Sequence, residues 1–127
     1  RPRTRTPRPD PQERGVAGLR IVRRPMTIAP FHHIELFRLR EGVALERVRT
    51  AREALAELVE RMPGVVHLTV THNLAEQNGG YTMVLLSEFE SRAAFEICSR
   101  HPEWRRVFRE FIEPVVDARL VAEGEGR

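Results

Sequence analysis

The spacing of apolar residues divides the chain into runs of period two and runs of period three to four. Phe31 to Leu39 alternates in part and is rich in Phe, Ile and Leu, which predicts a strand ended by Glu41-Gly42. From Val43 to Met62, apolar side chains recur at Val48, Ala51, Leu55, Leu58, Val59 and Met62. Those steps put them on one face of an amphipathic helix, which Pro63-Gly64 stops. Val65 to His72 is rich in β-branched residues and predicts a second strand. Asn78-Gly79-Gly80 marks a turn, and Tyr81 to Phe89 predicts a third strand. Ser91 stands where it can cap a helix reaching about Arg100. His101-Pro102 breaks that helix, and Pro102 opens another that runs to about Ile112 with Trp104, Val107, Phe108 and Phe111 as its apolar stripe. After Pro114, Val115 to Ala122 predicts the last strand, and Glu123 to Arg127 a frayed end.

The resulting order, βαββα(α)β, is the split βαβ or ferredoxin-like pattern of an α+β domain. Its antiparallel sheet carries helices on one face only. The other face needs cover, and a second copy packed sheet against sheet supplies it. The expectation is a homodimeric α/β barrel.

Composition changes this picture at the N-terminus. The chain has 127 residues, enough for one domain. All 21 basic residues are Arg. Residues 1–25 hold eight Arg against two acids, a charge of +6; the rest holds 13 Arg against 16 acids, a charge of −3. With Pro2, Pro7, Pro9 and Pro11 and no aromatic residue, 1–25 reads as a disordered Arg/Pro-rich arm ahead of a domain over 26–127. Such an arm gives at most weak, salt-sensitive contact with nucleic acid. No apolar stretch of about 18 residues is present, so no membrane partner is expected. The N-terminal residues show no apolar segment of the kind a secretory leader carries. A single cysteine excludes an internal disulfide, and a cytoplasmic location is expected.

A set of short motifs then adds a family resemblance. The residues from His33 to Gly42, Pro63-Gly64-Val65, Asn78-Gly79-Gly80-Tyr81, Phe89-Glu90-Ser91, His101-Pro102 and the segment from Pro114 to Val121 together resemble the stress-responsive dimeric α/β-barrel (Dabb) domains. The likeness covers roughly residues 31 to 122. It implies a homodimer with a cavity between sheet and helices in each protomer. It also implies small-molecule binding, and acid/base cyclisation in a plant polyketide-cyclising member. Carried over by position, that member's acid/base histidine falls on Trp104, its partner tyrosine on Cys98, and a further histidine on Met83; only the first-strand histidine is kept, as His33. The same dyad is therefore absent, and the implied cavity is more apolar.

The candidate chemistry centres on His33 and Glu35. Two apart on a strand, they share a face with Phe37, and the expectation places that face toward the barrel, with Ile34 and Leu36 toward the helices. A buried carboxylate needs a partner. The pair is either a general acid/base couple or a structural salt bridge, to Arg119 or across the dimer. Phe37, His67, Tyr81, Met83, Cys98 and Trp104 are the candidate ligand-lining residues. His67 joins His33 and Glu35 at a metal only if the first two strands pair, and no metal is expected. Cys98 is read as a buried inert thiol and His101 as a residue ordering its turn. The chain lacks a nucleophile elbow, a phosphate-binding loop and a dinucleotide fingerprint, so no cofactor is expected. The expected function is a dimer binding a small apolar or aromatic molecule, with a cofactor-free cyclase, isomerase or lyase step. The alternative is a non-catalytic stress-response or ligand-binding dimer.

Overall fold

The computed structural model describes residues 29–126. The proposed arm, and the boundary at residue 26, lie outside these residues. Strands β1 (Phe31–Leu39) and β3 (Tyr81–Phe89) form the centre of one antiparallel sheet. They are flanked by β2 (Val65–His72) and β4 (Val116–Glu125), giving the order β2-β3-β1-β4. Among the described residues three helices cross one face: α1 (Leu45–Glu57), α2 (Arg92–Ser99) and α3 (Pro102–Val107). A 3-10 turn, Leu58–Glu60, extends α1, and a π-helical turn, Phe108–Ile112, extends α3. The expected ferredoxin-like α+β order is present in full.

Two element ends differ from expectation. β4 runs on through Glu123 to Glu125 instead of fraying after Ala122, because β1 pairs with it down to Phe31–Glu125. The last helix switches from α to π at Phe108, where Glu113 N–H donates to Phe108 O over 2.8 Å.

The expected sidedness of β1 is reversed. Phe31, His33, Glu35 and Phe37 are buried under the helices, while Ile34 and Leu36 are half-buried on the open sheet face. The side-chain period of a strand is two, so all four residues must go to one side together. Phe31 and Phe37 decide which side: they join Leu55, Leu58, Phe89 and Ile112 in the core. Burying two phenylalanines contributes several kcal/mol, on the order of 2–3 each, and the polar pair is carried in with them.

Local caps follow the expected chemistry. Ser91 Oγ accepts from Ala94 N–H at 3.1 Å to open α2, and His101 Nδ1 accepts from Glu103 N–H at 3.0 Å to open α3. The opposite sheet face carries Ile34, Leu36, Val84, Leu86, Leu120 and Ala122, with Leu86 and Leu120 well exposed. No helix among the described residues is long and apolar enough to cross a membrane.

Candidate functional site

Four charged or titratable side chains form one chain of contacts on the helix side of β1 and β4. His33 Nε2 lies 2.7 Å from Glu35 Oε2, and His33 Nδ1 lies 2.8 Å from Glu123 Oε2. Arg119 Nη2 lies 2.9 Å from Glu35 Oε1. The strand register explains the grouping. β1 pairs His33 with Glu123 and Phe37 with Arg119, so Arg119 and Glu123 share the face of His33 and Glu35. His33 is only 4% exposed and Glu35 1%, whereas the Arg119 side chain keeps 43% of its surface in water.

Hydrogen-bond bookkeeping constrains the proton count. A neutral imidazole has one donor and one acceptor, and a carboxylate only accepts. With a carboxylate oxygen at each ring nitrogen, the cluster needs a proton on both nitrogens or on one carboxyl group. Arg119 neutralises the remaining charge. Its nitrogen is close enough for an ion pair but out of line for a hydrogen bond. Glu35 Oε1 is thus the one buried side-chain polar atom among the described residues without a hydrogen bond.

Aromatic side chains wall the cluster. The His33 ring stacks on Phe95 at 4.4 Å, and Trp104 approaches it edge-on at 6.4 Å. Phe89 and Trp104 contact Phe95 in turn, so rings fill the space between sheet and helices. An open cleft of about 320 Å³ lies beside the cluster, lined by Trp104, Arg105, Phe108, Arg109, Glu113 and Arg119. Neither His33 nor Glu35 lines it. Arg119 joins the two places: its guanidinium lies over the Phe108 ring at 5.4 Å while it pairs with Glu35.

The other expected lining residues are dispersed. Phe37 and Met83 pair on the helix side as buried core. Tyr81 starts β3 beside Arg38, at the opposite end of that strand from Ser87, the partner of His33. His67 is corrected outright: a bulge at Val66 leaves it on the open face, paired across from Glu88 and 2.7 Å from Thr69 Oγ1, so it cannot join His33 and Glu35 at a ligand. Among the described residues no cluster of His, Cys, Asp and Glu is arranged to hold a metal ion. Cys98 is buried, and its thiol donates to Pro63 O at 3.2 Å. Burial pushes that thiol up from its ordinary value and away from the reactive thiolate. Of the expected set, only His33, Glu35 and Trp104 come together. Glu123, Phe95 and Phe108 were not singled out for the site. The alternation of Arg119, Val121 and Glu123 on β4 was the signal that could have revealed Glu123.

Comparison with known proteins places the fold. A profile of the stress-responsive A/B barrel domain (Dabb) matches residues 31–125. In structure the chain is similar to a dimeric ferredoxin-like protein of unknown function from Thermobifida fusca, at 21% identity and a TM-score of 0.68, covering 77% of this chain and 92% of that one. It is similar to a Dabb family protein with a ferredoxin-like fold from Mesorhizobium loti, at 18% identity and a TM-score of 0.67, covering 76% and 95%. A hydroxynitrile lyase from Passiflora edulis is similar at 18% identity and a TM-score of 0.70, covering 77% and 94%. No curated protein matches it in sequence. Identities this low show a shared fold and carry no activity across. With the strand order, the helices on one face and a profile match that spans all four strands, the chain belongs to the stress-responsive A/B barrel (Dabb) family.

Proposed function

We propose that this chain forms a homodimer, sheet against sheet, that binds a small aromatic or apolar molecule in the Trp104–Phe108–Arg119 cleft. There it performs a cofactor-free acid/base step of the cyclase, isomerase or lyase kind. The observation that carries this reading is Arg119, which joins the cleft wall to a carboxylate almost wholly out of water. A ligand oxygen that takes the guanidinium N–H groups draws the counter-charge off Glu35. The proton shared between His33 Nε2 and Glu35 Oε2 is the one this step moves, and Glu123 fixes the His33 ring at Nδ1.

One observation favours a non-catalytic ligand-binding or stress-response dimer. His33, Glu35, Glu123 and Arg119 close on one another, and Phe95 and Trp104 occupy the space next to them. The two readings separate by experiment. Trp104 is the only tryptophan, so its indole N–H gives a single resonance that reports on the cleft. A neutral naphthalene such as 2-naphthol should shift that resonance saturably; no shift removes the cleft from consideration. On a substrate found by such screening, Glu35→Gln should retain binding and slow turnover by about 100-fold or more. Unchanged turnover with lowered stability assigns the pair a structural role.

A further inference from the structure

The cleft is more specific than an apolar patch. The helical run from Trp104 to Arg109 presents two parallel rows at spacing four. One row is aromatic, Trp104 and Phe108, whose rings stack at 5.2 Å. The other is cationic, Arg105 and Arg109, and both also line the cleft. Arg119 faces them from β4. Three guanidiniums thus surround a cleft into which the largely buried Trp104 and Phe108 present only their edges, against one carboxylate on the wall, Glu113.

The neighbouring arginine shows what is unusual here. Arg106, on the next row of the same helix, is held by Glu103 at 2.9 Å and Glu110 at 3.1 Å. Arg105 makes no ion pair among the described residues, and Arg109 reaches only Glu110, at 3.9 Å. Arg119 pairs with Glu35 without aligning a hydrogen bond, so its N–H groups remain available to another acceptor. Planar guanidiniums match the two oxygens of a carboxylate.

We infer that the ligand of this cleft is an organic anion: its carboxylate or enolate oxygens are held by Arg105, Arg109 and Arg119, and its apolar part meets the edges of Trp104 and Phe108. This rests on the cleft being the binding site, as proposed above, and adds the charge of the ligand. It also supplies the oxygen that draws Arg119 away from Glu35.

The test uses the full chain and a matched probe pair, 2-naphthoate and uncharged 2-naphthamide, each followed by the Trp104 indole resonance. Naphthoate should bind more tightly by roughly 10- to 100-fold, the size expected of a charge-assisted hydrogen bond. The advantage should shrink as salt is raised. Arg105→Gln with Arg109→Gln should reduce the preference toward unity while leaving the fold intact, since both side chains are exposed. Should that double variant fail to fold, the salt dependence on the unaltered protein still decides. Equal binding of the two probes overturns the anion assignment and leaves the cleft standing. No movement with either probe overturns the cleft itself.

Discussion

Arg119 and Glu35 form the contact on which stability and chemistry meet. Removing one partner of a fully enclosed ion pair costs about 3–5 kcal/mol, because the survivor stays buried and unpaired. Arg119 is half in water, so Arg119→Gln should cost less, roughly 1–3 kcal/mol, read as a lower midpoint in denaturant. Glu35→Gln leaves no buried charge and should cost less than Arg119→Gln. A double variant no worse than Arg119→Gln alone would confirm that the loss comes from the stranded carboxylate. Additive losses would show that the two side chains act independently. Trp104 has a related double role, since the same ring closes the interior and lines the cleft.

At the scale of elements, the turn before β2 is the point of least tolerance. Gly64 has φ +89, a backbone conformation that L side chains rarely adopt, and a Cβ there would lie 2.9 Å from Ala94 Cβ on α2. Its carbonyl also accepts from Glu90 N–H at 2.9 Å, tying the α1–β2 connection to the start of α2. Gly64→Ala should therefore destabilise by about 1–3 kcal/mol from backbone strain, with the steric overlap added. Gly42→Ala, also at positive φ but with open space around its Cβ, serves as the comparison. Equal losses at the two sites in thermal melts would mean that contact with Ala94 adds nothing. The π-helical turn belongs to the same scale. It adds a residue to the turn that carries Phe108 and Arg109, and such turns recur at functional sites.

For the whole molecule, the open sheet face determines the state in solution. Ile34, Leu36, Leu86 and Leu120 make a continuous apolar surface over three strands. Burial of such a face typically takes a total interface of about 1,200–2,000 Å². Sedimentation at micromolar concentration should give a mass near twice 14.7 kDa. Leu86→Glu, which places a charge at the middle of that face, should yield monomer with its helix-side core retained. A monomer from the unaltered chain would contradict the proposed barrel.

The elements were legible in the sequence because they follow from local rules. Alternation in Phe31–Leu39, spacing of three and four after Val43, Ser91 as a cap and Pro102 at a helix start act over a few residues, and each element stands where these signals put it. Pairing His33 with Glu35 was equally local, since residues two apart on a strand share a face. Which face that would be was not local. The sign of β1 depended on Phe31 and Phe37 finding Leu55, Phe89 and Ile112, residues tens of positions away. For the same reason alternation could put Glu123 on one face with Arg119, but only the antiparallel register of β4 beside β1 makes it the partner of His33, 90 residues distant. The bulge at Val66, which turns His67 away from the helices, arises only where β2 meets β3. Periodicity is a property of the chain, but register and sidedness are settled by long-range packing, and the candidate site is made of both.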